Sequence, residues 1–136
     1  MQIRVRAWHK TQKKMYYPEE LGADQLTLMP DGRGFVNVSG SDTRLSLIDD
    51  NRTMAPLMST GLRDKNGKEI YEGDVIRGNL IKYSPLLTRG EVVFDEHWAS
   101  FAYMNLAGKT LLREIDQIEV IGNRFENPDE LPGISG

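Results

Sequence analysis

Cysteine is absent from the 136 residues. That excludes disulfide frameworks, thiolate zinc sites and cysteine nucleophiles together, and it suits a reducing compartment. Long apolar runs are absent too. The first residues, Met1 to Lys14, hold no run of the about 7–15 apolar residues that a signal peptide needs. No stretch approaches the roughly 18–20 of a membrane-spanning helix. A soluble protein made in the cytoplasm, with no membrane partner, is therefore expected. Histidine is scarce, at His9 and His97 alone. Catalytic signatures are missing: there is no G-x-S-x-G elbow, no P-loop and no H-E-x-x-H pair. Gly32-Arg33-Gly34 starts a dinucleotide-like pattern, but Asn37 holds the place of its third glycine, so it reads as a hairpin turn.

What is present suits one domain, 1–136. A chain of this size buries roughly two thirds of its unfolded surface, enough for a core without metals. The net charge is −3, so bulk charge does not favour nucleic acid. Its distribution is uneven. Arg4, Arg6, Lys10, Lys13 and Lys14 stand near the start with no acid among them, while Glu114, Asp116, Glu119, Glu126, Asp129 and Glu130 crowd the end. Such asymmetry fits a solvated surface, a basic binding face or head-to-tail contacts between subunits.

The local patterns are those of short strands. Gln2 to Trp8 alternates, with Ile3, Val5 and Ala7 on one face and Arg4, Arg6 and Trp8 on the other, which predicts a half-buried strand. A hairpin to Met15-Tyr16-Tyr17 follows, then a single helical turn or loop over Pro18 to Gly22. Strands are expected at Gln25–Met29 and Gly34–Val38, separated by a turn at Pro30-Asp31-Gly32, with a loop at Ser39–Asp42. Thr43 to Met58 is the least legible stretch. Asn66-Gly67 is a strong hairpin signal, because both residues tolerate positive φ, and Glu72-Gly73-Asp74 is a second bend. Strands are expected over Val75–Lys82, Gly90–Phe94, Ser100–Met104 and Ile118–Ile121, with a loop from Tyr83 to Arg89 and a helical turn near Leu111–Ile115. Many short strands and frequent turns indicate an all-β barrel or sandwich.

Chemistry has few places to reside. Asp95-Glu96-His97 could supply metal ligands, but neighbouring strand residues point to opposite faces and a site needs three or four that converge. No metal and no cofactor are expected. Asp64, Glu69, Glu72 and Asp74 could meet across a hairpin, and two close carboxylates can divide acid and base roles. The competing reading is turn chemistry, in which Asp64 caps a bend and Asp74 satisfies N–H groups beside Gly73. Arg4, Arg6, Trp8, Lys13 and Lys14 form the candidate partner or nucleic-acid face, since aromatics can stack bases while cations meet phosphates. Trp8 could equally anchor a subunit interface. Trp98, Phe101 and Tyr103 cluster after the Val92 strand, where Phe101 and Tyr103 share a face suited to the core.

The block from Thr60-Gly61-Leu62-Arg63-Asp64-Lys65-Asn66-Gly67 through Glu72-Gly73-Asp74-Val75-Ile76 resembles the central signature of the YopX family. Ile3 to Trp8 with Lys13-Lys14-Met15 resembles its opening, Gly90 to Phe94 fits a strand between, and Val120 to Pro128 resembles its closing block. Glu19 to Asn51 matches loosely. One departure is His9, where the family usually has Asp after the tryptophan. The resemblance implies an all-β fold with an SH3-like, strongly bent sheet or small barrel over 58–125, an additional N-terminal β portion over 1–57 and a tail over 126–136. It also implies a phage or prophage origin. Gly61, Asp64, Asn66, Gly67, Gly73, Asp74, Gly122 and Asn123 read as its structural signature. The resemblance carries no catalytic residue. The leading expectation is a non-enzymatic, self-associating module that binds a host or phage protein. The alternatives are a nucleic-acid-binding barrel using the basic N-terminal face and a hydrolase using the paired carboxylates.

Overall fold

The computed structural model describes residues 4–23, 26–28, 35–37, 46–49, 54–80, 86–106 and 108–130. The turn expected at Pro30-Asp31-Gly32, the Gly32-Arg33-Gly34 stretch, the loop at Ser39–Asp42 and the last six residues lie outside these. The fold is all-β, with one short α-helix and two 3-10 turns, Leu112–Glu114 and Pro128–Glu130, among the described residues. The chain divides into two compact units, Met1–Met58 and Ser59–Gly136.

In the first unit, β1 (Val5–His9) and β2 (Lys14–Tyr16) form an antiparallel hairpin with Trp8 opposite Met15. The N–H of Lys13 donates to the His9 carbonyl across its turn. The other edge of β1 pairs with the start of a long strand, Met54–Arg63, placing Val5 opposite Met58. Helix α1 (Pro18–Ala23) begins on a proline, whose fixed φ suits a first helical position, and carries Glu19 and Glu20 where the helix dipole favours acids. Leu21 of α1 packs with Ala7, Val5 and Tyr16. The strands β3 (Leu26–Leu28), β4 (Phe35–Asn37) and β5 (Ser46–Asp49) make a separate antiparallel sheet in that order. Met54–Arg63 is therefore β6.

In the second unit, the later half of β6 pairs with β7 (Glu69–Tyr71), Arg63 opposite Glu69. Then β8 (Asp74–Leu80), β9 (Leu86–Asp95), β10 (Ser100–Asn105) and β11 (Gly108–Leu111) run as successive antiparallel neighbours, and β12 (Ile115–Asn123) returns beside β8. The register of β12 on β8 shifts twice, between Asp116 and Glu119 and between Val120 and Gly122. Such bulges bend a strand and increase its twist. This five-stranded sheet curls into a half-barrel. Its core is Ile70, Ile76, Val92, Tyr103, Leu112 and Ile115. Burying each large apolar side chain gives about 1.5–3 kcal/mol, against about 0–1 kcal/mol for a surface ion pair. The core, not charge, holds this unit.

Several elements exceed what local pattern predicts. β6 runs through Pro56 and Gly61, β9 starts at Leu86 inside an expected loop, and β11 has no counterpart in the sequence reading. The half-buried β1 needs correction. Arg6, Ala7 and Trp8 are consecutive and all buried, at 1%, 0% and 8% exposure. β1 is an interior strand covered on both faces, so its alternation does not separate core from solvent.

Candidate functional site

The five residues of the expected basic face do not share one open surface. Arg6 is buried with its guanidinium 5.9 Å from the centre of the Tyr17 ring, and Trp8 is buried as well. Arg4 pairs with Glu19 at 3.2 Å. Lys14 pairs with Glu20 at 3.1 Å and lies 4.5 Å from the Tyr16 ring centre. Lys14 and the Tyr17 N–H hold the Glu20 carboxyl below its usual range. Lys13 alone of the five is exposed in a turn, at φ +53°.

The central motif converges on main-chain groups. Asp64 Oδ1 accepts the N–H groups of Asn66 and Lys68 at 2.9 and 2.8 Å, and its Oδ2 accepts that of Val120 at 2.9 Å. Burial pushes its carboxyl up, but those three donors and the charge of Lys68 outweigh burial and hold it low. Gly67 completes the turn at φ +84°, where a side chain is strained. Asn66 is exposed at the same tip, and Gly61 lies exposed where the β6–β7 register shifts. Asp74 is buried and accepts the Tyr71 N–H at 2.8 Å. Gly73 donates to the Val92 carbonyl and accepts from Arg124, each at 2.9 Å. Glu69 accepts the Ser59 hydroxyl at 2.5 Å. In the closing block Asn123 Oδ1 accepts the N–H groups of Phe125 and Glu126, and Asn127 packs against Gly122. These side chains build turns and tie strands, and the carboxylates of Asp64 and Asp74 point at main-chain donors.

A different feature opens to solvent at the β9–β10 hairpin. Opposite pairs on one face run from Val92 with Tyr103, both buried, to Phe94 with Phe101. The last two rings meet edge to face at 5.2 Å. Phe94 and Trp98 are each 45% exposed. The turn beneath them is fixed: Asp95 Oδ1 accepts the Trp98 N–H at 2.8 Å, and its Oδ2 pairs with Lys109 at 3.1 Å. Those contacts, the Trp98 N–H first, hold the Asp95 carboxyl low. Ala99 sits at φ +49°, a conformation non-glycine residues rarely keep. The sequence points to Trp98 and to Phe101, and Phe101 does pack, half-buried, against the core as expected; it gives no sign of Phe94 as an exposed ring. The register that pairs the two phenylalanines is the missing signal.

Glu91 was also passed over. Burial pushes its carboxyl up, offset in part by the Arg124 guanidinium 3.9 Å away. His97 and Glu96 are exposed beside the nearly buried Asp95, and among the described residues no group of three or more His, Cys, Asp or Glu could hold a metal ion. No helix among the described residues is long and apolar enough to cross a membrane.

Known proteins share this architecture. Protein EF1440 from Enterococcus faecalis superimposes with a TM-score of 0.61 at 24% identity, covering 95% of this chain and 97% of that one. Protein yopX from Bacillus subtilis gives a TM-score of 0.61 at 22% identity, covering 96% and 97%. At such identities the likeness is one of fold. No curated protein matches the chain. The family model described as YopX protein matches residues 4–132, which take in the opening, central and closing blocks. The chain belongs to the YopX family.

Proposed function

We propose that this chain is a non-enzymatic interaction module that binds a protein partner and self-associates. The observation that carries this reading is the aromatic tip, the exposed pair Phe94 and Trp98, with Phe94 backed edge to face by the half-buried Phe101, on a turn held by Asp95. Exposed aromatics on a rigid support are the usual anchors of protein interfaces, because they bury large area at little entropic cost. Against hydrolysis weighs the engagement of Asp64 and Asp74 by main-chain N–H groups. Against the nucleic-acid reading weighs the burial of Arg6 and Trp8. A cytoplasmic setting in a bacterial host, with a phage or prophage origin, completes the proposal and rests on the family resemblance.

The test is affinity capture from bacterial host lysate, with and without nuclease, using the wild type and Trp98→Ala. A protein retained after nuclease and lost with Trp98→Ala is the expected result. Retention of nucleic acid, with every protein lost on nuclease treatment, overturns it. Sedimentation of the pure protein tests self-association, and a monomer at every concentration removes that half of the reading.

A further inference from the structure

We propose that the β6–β7 turn is a docking site for an acidic, extended segment of a partner protein. Arg63, Lys65 and Lys68 are all exposed on this one turn, and none of the three side chains forms an ion pair among the described residues. The only acid between them is Asp64, which is buried and directed at three main-chain N–H groups. Carboxylates on the neighbouring strands are committed elsewhere. Glu69 accepts the Ser59 hydroxyl, Glu119 binds Arg77 at 2.6 Å, and Asp116 accepts the Gln117 N–H. The turn therefore presents three cations that form no ion pair among the described residues, with the Asp64 carboxylate as the one nearby charge acting on Lys68.

The backbone that carries the cations is fixed, and so is the Arg63 guanidinium. Arg63 Nη1 donates to the Gly67 carbonyl at 2.8 Å, and the Lys65 N–H donates to the Ile118 carbonyl at 2.8 Å. Gly67 N–H returns to the Asp64 carbonyl at 3.0 Å. A fixed turn with one cation already oriented loses less entropy when an anion docks than a mobile turn would.

A protein segment fits better than nucleic acid. The chain carries a net charge of −3, which opposes a long polyanion, whereas a short acidic segment senses charges only within the Debye length of about 8 Å at physiological salt. Leu62, 47% exposed beside Arg63, offers an apolar contact, and no aromatic ring lies on the turn to stack a base. This surface belongs to a different hairpin from the aromatic tip, so either can fail without the other.

The experiment compares wild type, Lys65→Glu/Lys68→Glu, Lys65→Gln/Lys68→Gln and Trp98→Ala, each checked for fold by circular dichroism. The probes are a fluorescent oligoglutamate peptide and a single-stranded oligodeoxynucleotide of equal charge, followed by anisotropy at low and high salt. The Lys65 and Lys68 side chains make no hydrogen bond among the described residues, so both double variants are expected to fold. Roughly tenfold weaker peptide binding in the glutamine variant is expected, more in the glutamate variant, and none in Trp98→Ala. Unchanged binding in both lysine variants overturns the proposal, as does the absence of peptide binding by wild type. Tighter binding of the oligonucleotide, lost in the same variants, makes the turn a nucleic-acid contact instead. Dispersal of an oligomer by the lysine variants assigns it to a second copy of this chain and likewise overturns the proposal.

Discussion

The Asp64 carboxylate accepts the main-chain N–H of Val120 at 2.9 Å, although 56 residues separate the two along the chain. With Lys65 N–H on the Ile118 carbonyl, this bond ties the β6–β7 turn to β12. Hydrogen bonds to a charged acceptor contribute about 1.5–3 kcal/mol each, and stranded donors add a desolvation cost. Asp64→Ala is expected to lower stability by about 2–4 kcal/mol in urea unfolding. Asp64→Asn should cost about half as much, because one carbonyl oxygen can still serve Asn66 and Lys68. A loss within about 0.5 kcal/mol, ordinary for surface positions, would show that the turn and β12 hold together without this contact.

The same carboxylate sets an acid limit on the fold. Its folded pKa lies below the ordinary value of 3.8. A depressed acid contributes stability that is present above its unfolded pKa and is lost as pH falls through the folded one. Wild type should therefore lose stability below about pH 4. Asp64→Asn should lose less over that window. Parallel slopes for the two proteins would assign the acid sensitivity to other groups.

Much of this architecture was legible locally because turns carry their own chemistry. Asn66-Gly67 announces its hairpin, and the β-branched and aromatic run Val92-Val93-Phe94 announces β9. What was not legible depends on which neighbours cover a strand. Nothing local distinguishes Arg6 as a buried residue, since its burial follows from what packs over both faces of β1. Pro56 argues against a strand at that point, yet β6 carries it. β11 is only four residues long, and its pairing to β10 is what makes it a strand. The candidate site divides the same way: the chemistry of Asp64 was readable, whereas the open aromatic tip required the pairing of Phe94 with Phe101.

Glycines separate two physical causes. A Cβ on Gly90 would lie 2.4 Å from Tyr103 Cδ2 and 2.8 Å from the Met104 carbonyl oxygen. At Gly67 a Cβ would meet nothing within 4 Å, so only backbone strain at φ +84° remains. Gly67→Ala should cost about 1–2 kcal/mol, and Gly90→Ala distinctly more, because the β9–β10 pairing must shift. Thermal or urea unfolding of the two variants ranks them. Equal losses would mean that Tyr103 moves aside freely, against its place in the core.

Glu91 gives the opposite sign to Asp64. Its side chain is only 8% exposed, it lies opposite Val75 and Met104, and the one charge offsetting its burial is Arg124. A raised carboxyl contributes stability that is full below its ordinary pKa of 4.5 and is lost as pH rises through the folded value. Glutamine resembles the protonated form, so Glu91→Gln should leave stability unchanged or higher at neutral pH. Arg124→Ala should be destabilising in the wild type, where it leaves a buried charge without its partner. In the Glu91→Gln background the same change should cost less. A double-mutant cycle by urea unfolding isolates that coupling. If Arg124→Ala costs the same in both backgrounds, the guanidinium acts through Phe125, whose ring it covers at 4.6 Å, and not through the carboxylate.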